Sequence, residues 1–167
     1  MSIEIRGERP DDVAAIREVN RLAFGQDQEA NIVDSLRSGD GLRLSLVAAL
    51  DDRIVGHVAY SPVVAHGVAG AGLGPVAVLP DHQRQGIGSA LIKAGNARLH
   101  DAGCPFIVVL GHPGYYPRFG FRPASTYGLT CEWDVPDGVF MVLVLDESTL
   151  LGASGRVKYR QEFSTVA

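Results

Sequence analysis

Apolar residues recur along this chain with two periods, one of strands and one of helices. Ile3 and Ile5 alternate with polar neighbours, which predicts a short strand over 2–6. Pro10 suits a first helical turn, with Asp11 and Asp12 at the positive end of the helix dipole. Val13, Ile16, Val19, Leu22 and Ala23 then follow at helical spacing. A second helix is predicted over 27–38, with Ile32, Val33 and Leu36 facing inward and Gly39 beyond its end. Strands over 44–50 and 54–64 follow, joined at Asp51-Asp52-Arg53 as a hairpin. The glycine-rich segment 65–72 reads as another turn.

A strand over 74–79 leads into a helix whose apolar stripe is Ile87, Ala90, Leu91, Ala94 and Ala97, with Gly103 closing it. The run 105–110 reads as a buried strand, and the tyrosine-rich stretch behind it as a short helix or turn. A further strand is predicted over 139–145, with 127–133 as its pairing partner. Val157, Tyr159 and Phe163 suit one more edge strand or an arm. No repeat, low-complexity stretch or linker interrupts the series, so residues 1–167 are expected to form one domain, with 150–167 as that strand or arm.

Composition narrows the functional classes. Apolar residues are 46% of the 167, and a chain of this length buries a core without staples. No apolar run reaches membrane-spanning length, and no secretory leader is visible, so no membrane partner and a cytoplasmic location are expected. Cys104 and Cys131 lack metal spacing and read as free thiols in a reducing compartment; no metal is expected. The net charge of −4 argues against a nucleic-acid binder and permits cationic amines.

The chemistry concentrates at the junction after the 74–79 strand, Leu79-Pro80-Asp81-His82-Gln83-Arg84-Gln85-Gly86-Ile87-Gly88-Ser89. Free N–H groups and the positive end of a helix dipole converge there, and glycines at 86 and 88 let an anion approach the main chain. A dinucleotide fingerprint would need a third glycine where Leu91 stands. A P-loop would need a Lys-Ser/Thr pair after the second glycine, where Ser89-Ala90 stands. An ordinary strand–turn–helix connection is the bland alternative. The spacing Gln-x-x-Gly-x-Gly resembles the acyl-coenzyme A loop of the GCN5-related N-acetyltransferases. A second stretch, Leu110-Gly111-His112-Pro113-Gly114-Tyr115-Tyr116-Pro117-Arg118-Phe119-Gly120-Phe121, is similar to the small bacterial acetyltransferases of the YhbS type.

The resemblance implies an α/β fold: a mixed, mostly antiparallel sheet flanked by helices, with one parallel strand pair splayed apart to admit the pantetheine arm of acetyl-CoA. The strands would be 74–79 and 105–110, with Val76, Ala77 and Val78 as backbone partners of the arm. Pro75, lacking an N–H, fits a bulge or a strand start. Gln83, Arg84, Gln85, Gly86, Ile87, Gly88 and Ser89 would face the pyrophosphate, chiefly through main-chain N–H groups. His112 stands near where many relatives carry an asparagine that contacts the arm.

The implied reaction is acetyl transfer to a primary amine of a small molecule or peptide. The Val78 N–H would polarise the thioester carbonyl. Tyr116, four residues ahead of Gly120-Phe121, would protonate the departing thiolate; a phenol near ~10 and a thiol near ~8.5 allow this without prior activation. Tyr115 reads as a packed or substrate-lining aromatic. Glu29 is the first choice for a base, ahead of His112, His57 and Glu132, and a water chain is the alternative. A catalytically silent acyl-CoA-binding regulatory protein and a transferase of longer acyl chains are the competing functions. A homodimer is compatible with the sequence.

Overall fold

A computed structural model describes residues 2–150 and 155–166. Strand β1 (Ile3–Gly7) lies antiparallel to β2 (Leu44–Leu50), which forms a hairpin with β3 (Arg53–Ala65). Asp51 and Asp52 both take positive φ at its tip, a two-residue turn whose twist matches the flanking strands. Between β1 and β2 run a 3₁₀ turn at Pro10–Asp12, helix α1 (Val13–Phe24) and helix α2 (Gln28–Ser38). Arg6 pairs with Asp12 at 2.7 Å and ties that first turn to β1.

Strand β4 begins at Val68 and runs to Val78, so the reading of 65–72 as a turn is corrected. Only His66 and Gly67 turn, both at positive φ, and Ala65 pairs with Val68. The glycines that suggested a longer turn serve close packing. A Cβ at Gly70 would come within 2.5 Å of the Phe106 ring, and one at Gly72 within 2.8 Å of Tyr159. At the other end of β4, Val58 pairs with Val76 and Tyr60 with Leu73, so Gly74 and Pro75 together face Ala59. This is a β-bulge, and it bends the strand. It accommodates the proline that the sequence placed at a bulge or a strand start.

Helix α3 (Ile87–Asp101) crosses from β4 to β5 (Phe106–Leu110), which runs parallel to β4. A 3₁₀ turn at Tyr116–Phe119 leads to the short β6 (Arg122–Pro123), which pairs with β8 (Phe140–Val144) beside β5. The expected pairing of 127–133 with 139–145 does not form. Its strand portion, β7 (Leu129–Thr130), instead lies parallel to β9 (Gly155–Lys158), which also pairs with Val64 and Ala65 of β3. The buried Leu129 and Val157 belong to a cluster with Val63 and Phe106, and this packing outranks local sequence proximity. A short helix α4 (Glu147–Leu150) closes the segment after β8.

The sheet order β1-β2-β3-β4-β5-β8-β6 is antiparallel except at β4 and β5, as the resemblance implied. Helices cover both faces. Tyr60 donates to Asn96 of α3 at 2.8 Å on one face, while His57, of opposite parity, meets Asn20 of α1 at 3.1 Å on the other. No helix among the described residues is long and apolar enough to cross a membrane.

Candidate functional site

The parallel pair is short. Ala71, Gly72 and Leu73 pair with Ile107, Val108 and Val109; beyond the bulge β4 continues through Val78 without a β5 partner. The backbone phase of that free stretch follows from one bond. Leu79 N–H donates to Val55 C=O at 2.9 Å, so Leu79 and, two residues back, Ala77 turn their polar groups toward β3. Val76 and Val78 therefore direct theirs away from β3, into the gap. The Val78 carbonyl already accepts from Gln83 Nε2 at 3.0 Å, leaving its N–H directed at the opening. Ala77 presents its backbone to His57 instead.

Past a 3₁₀ turn at Pro80–His82 the chain enters the glycine loop. Arg84 and Gly86 take positive φ, and Gly86 N-caps α3 in the left-handed conformation. Only glycine adopts that geometry without cost. The first helical bond runs from Ala90 N–H to Gly86 C=O, so the N–H groups of Ile87, Gly88 and Ser89 precede the helix ladder. Gln83, Arg84 and Gln85 are exposed around this end, and the Ile87 side chain is buried beneath it. Several backbone donors and a helix dipole thus converge at this end, which suits an anion.

The tyrosine turn brings two adjacent rings to different partners. The Tyr115 hydroxyl lies 2.9 Å from Ser89 Oγ, tying this turn to the first turn of α3. The Arg118 guanidinium stacks 4.5 Å over the Tyr115 ring, and its Nε donates to the Tyr115 carbonyl at 3.0 Å. Tyr116 lies edge-on to Phe121 and lines a cavity of about 490 Å³. No described protein group hydrogen-bonds its hydroxyl. Burial, with a smaller contribution from Tyr115, pushes the Tyr116 phenol up to about 12, so it is protonated at neutral pH.

One side of this cavity is β4 from Leu73, its last residue paired with β5, through the unpaired Gly74, Pro75 and Val76, with Leu110 and Tyr116 also lining it. Phe24, Glu29 and Ile32 come from the two N-terminal helices. Trp133, Val135, Tyr159 and Phe163 complete it; the aromatic centroids lie 5.1 Å apart for Trp133 and Tyr159 and 5.5 Å for Tyr159 and Phe163. The segment carrying Tyr159 and Phe163 is held by Tyr159 N–H donating to Glu132 at 2.6 Å and by Arg160 Nη2 donating to the Gly39 carbonyl at 3.0 Å.

The four candidate bases separate sharply. Glu29 lines the cavity, half-buried, and accepts from Gln26 Nε2 at 3.0 Å. His112 is exposed, and its Nδ1 accepts from Gly114 N–H at 3.1 Å, bracing its own turn. Glu132 anchors Tyr159. His57 is fully buried: Asn20 donates to its Nδ1, its Nε2 lies 2.9 Å from Ser45 Oγ, and Ser45 donates to Glu8 at 2.7 Å. Burial drives the His57 pKa down to about 4. The structure brings Glu29, Val76 and Tyr116 to one cavity and leaves His57, His112 and Glu132 outside it. Sequence reasoning missed the Ser89–Tyr115 bond and the wall of Trp133, Tyr159 and Phe163; the only signal was the apolar spacing near the C-terminus.

Residues 42–123 match the family model of the acetyltransferase (GNAT) domain. Over 163 residues the chain is 36% identical to the uncharacterized N-acetyltransferase YhbS of Escherichia coli K12, covering 96% of this chain and 98% of that protein. It is 38% identical over 133 residues to the uncharacterized N-acetyltransferase YjhQ of the same organism, covering 75% and 74% of the two chains. The crystal structure of E. coli YhbS in complex with CoA superposes with a TM-score of 0.93 over 97% of this chain and 92% of that one. A GNAT acetyltransferase from Brucella melitensis, in complex with acetyl-CoA, is 40% identical with a TM-score of 0.81, covering 97% and 98%.

Proposed function

Because this chain belongs to the GNAT family of N-acetyltransferases, we propose that it transfers the acetyl group of acetyl-CoA to a primary amine by direct attack. The observation that carries the reading is the parting of β4 from β5 after three residue pairs, with backbone groups of Val76 and Val78 aimed into the opening. Pantetheine amides need such partners, and a sheet edge supplies them. The pyrophosphate sits on the N–H groups at the start of α3, with Arg84 beside it. The E. coli and Brucella relatives bound to CoA and acetyl-CoA support this placement.

In the reaction, the ammonium first gives a proton to Glu29 or to water. The neutral nitrogen attacks the thioester carbonyl, whose developing negative charge meets a β4 backbone N–H of the same outward phase as Val78, that of Val76 at the cavity wall. As the C–S bond breaks, Tyr116 donates its proton to sulfur. The proton shed by the new amide nitrogen returns through water to the phenolate. Free Cys104 and Cys131 fit the reducing environment of the cytoplasm, where acetyl-CoA is at hand.

Calorimetry with acetyl-CoA, followed by thiol release upon addition of amines, tests the proposal. Micromolar acetyl-CoA binding and amine-dependent thiol release are expected. A protein that binds acetyl-CoA but releases no thiol with any amine would instead be a regulatory binder.

A further inference from the structure

The walls of the cavity define its acceptor, and we infer that this is a monocationic primary amine carried on an apolar, aromatic-sized body. The inference rests on the transferase reading above. Among the described residues lining the cavity, Glu29 is the only charged side chain. Sharing the cavity with it are Phe24, Trp133, Val135, Tyr159 and Phe163. The cavity opens directly onto Val76 and Tyr116, at the thioester end of the cofactor groove, so an amine held by Glu29 lies within the same chamber as the acyl group.

Charge and polarity decide between amine classes. An ammonium finds a carboxylate at Glu29 and aromatic rings around it, which favour a cation. A polyamine would bring a second ammonium against apolar walls with no second carboxylate, and an unpaired buried charge is costly. An amino sugar would bury several hydroxyl groups where few polar partners exist. The Tyr159 hydroxyl does not help, because its oxygen is buried behind the cavity surface and out of a ligand's reach. An acidic amine would find no lining cation and would face Glu29 with like charge. An apolar body instead gains from contact with the three-ring wall, and an aromatic group offers the largest contact area.

The experiment measures kcat/KM for acetyl-CoA-dependent thiol release with 2-phenylethylamine, tryptamine, spermidine, glucosamine and aspartate, alongside calorimetry of acetyl-CoA alone. At least one aromatic amine should exceed spermidine, glucosamine and aspartate by tenfold or more. Glu29→Gln should raise the KM of that amine at least tenfold while leaving the acetyl-CoA Kd within twofold, and Phe163→Ala should raise KM without altering that Kd. Preference for spermidine, glucosamine or aspartate overturns the inference and leaves the transferase reading standing. Intact acetyl-CoA binding with no turnover of either aromatic amine overturns it as well. Failure to bind acetyl-CoA brings down the transferase reading and this inference with it.

Discussion

His57 allows a quantitative test of how the sheet beneath the site is held. Its imidazole is buried between α1 and the sheet in a chain of bonds running from Asn20 through His57 and Ser45 to Glu8, which Arg37 holds in an ion pair at 2.8 Å. Because Asn20 donates to Nδ1, the single ring proton sits on Nε2 and serves Ser45. A second proton would have no acceptor. The unfolded histidine titrates near 6.5 and the folded one near 4. The folded pKa is thus depressed, and between these values the unfolded chain binds the extra proton. The contribution is complete above about pH 6.5 and is lost as pH falls toward 4. The full difference is about 3 kcal/mol, of which about 2 kcal/mol is lost by pH 5.

His57→Gln keeps a donor toward Ser45 and an acceptor toward Asn20 but cannot titrate. Urea unfolding from pH 8 to pH 5 is the assay. The wild type should lose about 2 kcal/mol more than the variant over this range. Desolvation raises the Glu8 pKa but is outweighed by the hydrogen bonds from Arg37 and Ser45, which lower it, and the Arg6 hydrogen bond lowers that of Asp12. Stability from both carboxylates is lost only below this range, so it does not blur the comparison. Equal pH slopes in the two proteins, or an imidazole resonance of His57 that titrates above pH 6, would refute the reasoning.

Three further outcomes are expected. Gly88→Val should fold normally, since a Cβ there meets Tyr115 and the β4 valines at no less than 3.8 Å, yet lose at least tenfold in acetyl-CoA affinity by calorimetry. Tyr116→Phe should lower kcat by about a hundredfold, the scale of a lost general acid, with the acetyl-CoA Kd within twofold. Tyr115→Phe and Ser89→Ala should each weaken acetyl-CoA binding while sparing kcat, and the double variant should be no weaker than either single one, because both delete the same bond.

Much of this molecule is legible in its residues because its signals are local. Apolar alternation placed β1, the helical stripes placed α1 to α3, and the glycines marked the loop that opens α3 without reference to the rest of the chain. Two segments were misread where distant packing overrides local signal. Gly70 and Gly72 look like turn residues until Phe106 and Tyr159, 36 and 87 positions away, are set against them. Leu129 and Thr130 pair with a strand that begins at Gly155, and nothing near them announces it. The cavity wall was hidden for the same reason: Phe24, Glu29, Trp133, Tyr159 and Phe163 meet only in three dimensions. Tyr115 read as a packing ring because its hydroxyl partner lies 26 residues upstream in another element.

The bulge at Gly74 and Pro75 sets stability and use against each other. Two residues facing Ala59 turn β4 away from β5, and the stretch from Gly74 to Val78 forgoes the sheet bonds that a straight strand would make with a neighbour. Removing one of the two would return β4 to an even ladder with the same β3 partners downstream, and the strands would be free to zip together. Selection for heat resistance alone would therefore favour that deletion, and it would seal the groove. Such a lineage would gain a tougher fold and lose its acetyl donor, while every side chain around the cavity stayed the same.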